Sequence, residues 1–143
     1  MKNENKKLYT IDTHAHPPRK GCPGIDERPY AAPLSEEEKE AYLQRDLQEI
    51  LQSMEMYGID KKGMLAMPPD IEASFHYGEK ISETGLQTYT SHEWIIQAQR
   101  LYPEKFYGCA CLNPLDADAI PELERLVREF SFKGVKIHQA HYR

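Results

Sequence analysis

The chain has 143 residues, 40% of them apolar and 29% charged, with a net charge of -5 and a pI near 5.7. That is the size and composition of one soluble globular domain with a core to bury, and an acidic balance without a basic stripe argues against nucleic-acid binding. No apolar run is long enough to span a bilayer and the polar start over residues 1–7 lacks a signal peptide's apolar centre, so a cytoplasmic protein without membrane contact is expected.

Leu8-Tyr9-Thr10-Ile11-Asp12-Thr13 reads as the first strand, with His14 and His16 at its C-terminal end. Alternate side chains of a strand share a face, so His14 and His16 should point the same way, and Asp12 with them. Imidazole is the commonest protein metal ligand, and two from one strand end could grip one ion. A chance H-x-H among six histidines is the alternative. Position favours the ligand reading, because a barrel enzyme places its metal where the first strand ends.

A loop from Pro17 to Leu34 follows, rich in proline, and its length suits a functional or mobile segment. Ser35 and Glu38 form a capping-box signature, so a helix should run from there to about Tyr57. Leu43, Leu47, Ile50, Leu51 and Met54 give it one apolar face, and Gly58 is a C-cap candidate. Gly63-Met64-Leu65-Ala66-Met67 suits a strand covered on both faces. Asp70 to Thr88 is a second long loop, in which His76 could reach a substrate or simply be solvated.

Ser91 is a capping candidate for a second helix, with Trp94, Ile95, Ala98 and Leu101 on its face and Pro103 ending it. Phe106 to Leu112 is the third strand. Asp116 or Asp118 can cap a third helix, with Pro121 in its first turn and an apolar stripe of Leu123, Leu126, Val127 and Phe130. Phe132 to His138 is the fourth strand. Cys22, Cys109 and Cys111 are odd in number, as expected of reduced thiols. Cys109 and Cys111 could form a soft metal site or fill a core.

The order βαβαβαβ makes each helix a crossover between parallel strands. A small doubly wound sheet or the N-terminal half of a (β/α)8 TIM barrel both fit. A whole barrel needs about 250 residues, and both long loops follow strand C-termini, the catalytic face of barrels. A doubly wound sheet would also want a helix after its last strand and phosphate-binding glycines after its first. His14-Ala15-His16-Pro17-Pro18 stands there instead. The α/β half barrel, with four parallel strands and three helices, is the favoured fold.

Four stretches together resemble one family. They are Ile11-Asp12-Thr13-His14-Ala15-His16, Tyr57-Gly58-Ile59-Asp60, Tyr102-Pro103-Glu104-Lys105-Phe106-Tyr107-Gly108, and Phe132-Lys133-Gly134-Val135-Lys136-Ile137-His138. In this order they resemble the amidohydrolase superfamily, in its amidohydrolase-related branch of metal-dependent hydrolases and aromatic-acid decarboxylases. The resemblance implies a distorted α/β barrel holding one divalent metal, usually zinc, with His14 and His16 as two of its ligands. In the family a histidine after the fifth strand and an aspartate after the eighth complete the site. Those positions do not exist in this sequence, so residues 1–143 look like the N-terminal part of an incomplete domain.

The family's chemistry rests on a divalent ion that lowers the pKa of water to about 7 and polarises a carbonyl, or that organises substrate for decarboxylation. Lys136 and His138 share a face of the fourth strand, opposite Val135 and Ile137. If Val135 and Ile137 pack under helices, Lys136 and His138 point into the barrel mouth as candidate catalytic residues, where Lys136 could bind an anionic substrate group. The alternatives are a lysine snorkelling from a strand end and a structural hydrogen bond for His138. A small-molecule substrate is expected, with a homo-oligomer as a further expectation. A catalytically inert fragment or assembly piece is the competing reading.

Overall fold

In the computed structural model, which describes residues 8–17, 35–66, 91–112, 114–115 and 117–137, the longest element starts at Ser35. The Ser35 hydroxyl accepts the Glu38 amide, and the Glu38 carboxylate accepts the Ser35 amide. This reciprocal box satisfies two of the amides that a helix start leaves without partners. Helix α1 runs from it over Glu36–Tyr57, with three acidic residues at the positive end of its dipole. Gly58 closes the helix at φ 66°, a left-handed backbone that strains any residue with a Cβ, and its amide returns to Met54 and Glu55. Leu43, Leu47 and Met54 are buried, with Ile50 and Leu51 packed beside them, so the apolar stripe is the buried one. Asp46 is buried on the same helix, which periodicity did not foresee; the Arg45 guanidinium lies 3.8 Å from it.

Four strands, β1 (Ile11–Ala15), β2 (Lys61–Leu65), β3 (Phe106–Cys111) and β4 (Gly134–Lys136), form one parallel sheet in the order β1-β2-β3-β4. Helices α2 (Ser91–Leu101) and α3 (Ala119–Phe130) complete the set. A doubly wound sheet reverses its strand order at a switch point. This order never reverses, and the three helices share one core. The fold is half of a TIM barrel.

That core joins Leu43 and Leu47 of α1, Trp94, Ile95 and Ala98 of α2, and Leu126 of α3 to Met64 and Phe106 of the sheet. Register tells which strand residues face it. Lys62 stands beside Phe106 and Met64 beside Gly108, and the Phe106 ring meets Trp94 edge-on. Gly108 lies so close to Ile95, Gln99 and Phe132 that a Cβ would collide with them. These residues face the helices. Tyr107, Cys109 and, opposite Cys111, Lys136 therefore line the other face, the inner side of the half barrel.

Several boundaries differ from the sequence reading. β1 starts at Ile11 rather than Leu8 because β2 offers no partner before Asp60, whose amide and side chain both bond Thr10. β2 starts two residues early, at Lys61, because Lys62 gains Asp12 as a partner there. β4 is only Gly134–Lys136, and Phe132 sinks into the core ahead of it. Ser91 is the first residue of α2, so the cap position falls on Thr90, outside the described residues. Asp118 occupies the cap position of α3 without a side-chain cap bond, and Asp116 is outside the described residues. Leu101 and Val127, read as buried, are 39% and 47% exposed. The two long loops fall almost wholly outside the described residues.

Candidate metal centre

The site begins with an irregularity in β1. Asp12 pairs with Lys62 but Ala15 with Met64, so three residues of β1 advance against two of β2. This is a β-bulge, and one extra residue inverts the alternation that follows. Asp12 and Ala15 share the helix-facing side with Lys62 and Met64. His14 and His16, which flank Ala15, fall on the inner face. The expectation that Asp12 points with the histidines is thus corrected: the bulge sends it the other way.

Asp12 instead holds the bulge in place. One carboxylate oxygen accepts the His14 amide at 3.1 Å, and the other meets the Lys62 ammonium at 2.7 Å. The Lys62 side chain is 14% exposed and that of Asp12 31%, so the pair is largely shielded from water. The hydrogen bond from Lys62, followed by the one from the His14 amide, keeps the Asp12 carboxyl below its ordinary pKa.

On the inner face the two imidazoles converge. His14 Nε2 and His16 Nε2 are 3.2 Å apart, with the rings edge to face at 80°. His16 Nδ1 lies 2.8 Å from the carbonyl oxygen of Leu65, the last residue of β2. A carbonyl only accepts, so His16 carries its proton on Nδ1 and turns a lone pair on Nε2 toward His14. What meets that lone pair is either the Nε2 proton of His14 or a cation shared by both rings. Two nitrogens bound tetrahedrally to zinc at about 2.0–2.1 Å stand roughly 3.3 Å apart. The observed separation fits that spacing, and the Leu65 carbonyl is the kind of outer partner that orients a metal-bound imidazole. Among the described residues no group of three or more His, Cys, Asp and Glu side chains comes together to hold an ion.

Lys136 ends β4, half-buried on the same inner face. β4 is not beside the histidines, however: β1 and β4 are the two outer strands of the sheet. Three strand spacings of about 4.8 Å separate them along the sheet, so Lys136 and the imidazoles could meet only across a substrate. Val135 and Ile137 are 48% and 58% exposed, so no described helix covers them as the sequence reading required. His138 and His76 lie outside the described residues. Cys109 and Cys111 carry thiols; Cys111 is buried, and burial pushes the Cys109 thiol up, away from thiolate chemistry.

Sequence reasoning passed over His92. It stands in the first turn of α2, and its Nε2 accepts the Cys111 amide at 3.1 Å, tying α2 to the C-terminal end of β3. Its ring also meets Phe132 edge-on. Burial lowers its pKa, so it is held neutral. The only local signal was a histidine just after a helix start. The Leu65 carbonyl had no signal at all, being backbone.

No family model matches the chain, and no curated protein does. Seven solved chains match it. One is 4-oxalomesaconate hydratase, LigJ, from Rhodopseudomonas palustris, with a TM-score of 0.51 and 20% identity. The likeness is one of fold. It covers 88% of this chain but 40% of the hydratase, so the chain spans less than half the length of that enzyme.

Proposed function

We propose that this chain supplies the N-terminal part of a metal-dependent hydrolase or lyase of the amidohydrolase type, acting on a small carbonyl or carboxylate compound. His14 and His16 are two ligands of one divalent ion, zinc by the nature of the donors. The convergence of their Nε2 atoms to 3.2 Å, with His16 held from behind by Leu65, carries this reading. The family motifs in the sequence and the fold likeness support it. The remaining ligands, a histidine and an aspartate by the resemblance, belong to strands beyond these four.

A bound divalent ion supplies a water of pKa about 7 and a polarised carbonyl. The chain's own residues do the positioning. The Leu65 carbonyl keeps His16 in the tautomer that presents Nε2, and the bulge pinned by Asp12 aims His14 at the same point. Lys136, facing inward from the far strand, holds an anionic group of the substrate; His138, the other candidate, lies outside the described residues. The fold neighbour is named a hydratase, and adding water to a substrate draws on the same activated water as hydrolysis. That favours a water-adding reaction over decarboxylation.

Zinc titration by calorimetry near neutral pH separates this reading from an inert assembly piece. We expect one zinc per chain, an affinity lowered at least about tenfold in His14→Ala, and no binding in His14→Ala/His16→Ala. Lys136→Met should leave zinc affinity within about twofold, because Lys136 is no ligand. Undiminished zinc binding in the double variant would sink the proposal.

A further inference from the structure

At the opposite end of the strands from the histidines lies a cleft of about 480 Å³. It sits where β2 and β3 begin and where α2 and α3 end. Its apolar walls are Ile96, Phe106 and Phe130, and Pro103 closes one side. Three cations, Lys61, Arg100 and Lys133, stand around it with a single carboxylate, Glu129. Among the described residues none of the three cations forms an ion pair. Lys61 spends one donor on the Pro103 carbonyl at 3.2 Å.

The cleft is also braced. The Gln99 side chain donates to the Phe130 carbonyl at 2.7 Å and accepts the Gly108 amide, so one amide group ties α2, α3 and β3 together. Both ends of Gln99 are satisfied, which braces the walls of the cleft against one another. The volume falls within the roughly 300–1,000 Å³ of small-molecule sites, which are mostly apolar with a few placed polar groups.

Charge decides the ligand's sign. Two helix C-termini point into this region, each equivalent to about half a negative charge. With Glu129 they offset about two of the three positive charges, which leaves the cleft near +1. The chain as a whole carries -5, so this is a local inversion of sign. We propose that the cleft binds a small amphipathic monoanion, a flat or short apolar group bearing one carboxylate, at a site separate from the metal centre. The apolar body lies against the aromatic walls, and the carboxylate meets Arg100 and Lys133.

Equilibrium dialysis against 2-naphthoate tests this, since it reads bound ligand whatever the oligomeric state. A ligand of this size should bind with a Kd on the order of 0.1–1 mM. Arg100→Glu/Lys133→Glu should weaken it at least about tenfold, and the neutral isostere 2-naphthamide should bind at least about fivefold more weakly than 2-naphthoate. Both substituted residues are exposed, and circular dichroism is to be run alongside to check that the variant stays folded. Glu129→Gln, which removes the opposing carboxylate, should tighten binding. His14→Ala/His16→Ala should leave it unchanged. The proposal is overturned if 2-naphthoate does not saturate, if the naphthamide binds equally well, if the charge reversals have no effect, or if the histidine variant abolishes binding.

Discussion

His14 and His16 can converge only because Asp12 does not join them. With strict alternation all three side chains would share a face, as the sequence implied. The extra residue in β1 puts the carboxylate on the helix side with Lys62 and leaves the imidazoles on the inner face. We expect Asp12→Ala to cost about 1–3 kcal/mol, because it strips a shielded lysine and the His14 amide of their acceptor. It should also weaken zinc binding about tenfold although Asp12 is not a ligand. Urea unfolding at an unchanged midpoint would show that the bulge does not depend on Asp12. His92 carries a pH signature. The folded chain keeps it neutral, while the unfolded chain takes up a proton near the ordinary value of 6.5. Its contribution to stability is therefore complete above about pH 6.5 and is lost as pH falls from there toward its lowered folded pKa. His92→Gln should flatten the fall of stability below about pH 6.5 relative to the parent chain. An identical pH profile for the two would contradict a buried neutral imidazole.

The legible elements were those whose signals are local. Ser35, Glu38 and Gly58 act within one turn of their own helix ends, so both ends of α1 could be read from spacing. We expect Ser35→Ala to destabilise the chain by about 0.5–2 kcal/mol. Gly58→Ala should cost about 1 kcal/mol through its left-handed backbone. Thermal melts measure both, and an unshifted midpoint in either variant would contradict the corresponding cap. Strand ends were less legible because they depend on a partner remote in sequence. Leu8 and Tyr9 have strand-like character, yet they stay outside β1, since β2 offers nothing to pair with them. The polar Lys61 and Lys62 enter β2 because Asp12 waits across the sheet. The bulge was illegible for the same reason, as it exists only in the register between two strands. For the candidate site this means that the ligand pair could be read from H-x-H, whereas the carbonyl and carboxylate that aim it could not.

At the scale of the whole molecule, a sheet in sequence order with helices on one side leaves two edges. Among the described residues β1 and β4 each pair with one strand, and Ile11, Val135 and Ile137 lie 47–58% exposed along them. Such edges are templates for further pairing. We expect the 143-residue chain to sediment as a dimer or larger species, and Val135→Lys/Ile137→Lys to shift it toward monomer. A sharp monomer with a cooperative melt would contradict this. The half barrel also separates two ends of the strands, the imidazole pair at the C-terminal end and the cationic cleft at the N-terminal end. The most direct test of the metal centre is the long-range proton–nitrogen NMR spectrum of the histidine rings with and without zinc. The expected result is that zinc shifts the Nε2 signals of both His14 and His16 while Nδ1 of His16 stays protonated on the Leu65 carbonyl. Nε2 signals that do not respond to zinc, or a response at Nδ1 of His16 instead, would contradict it.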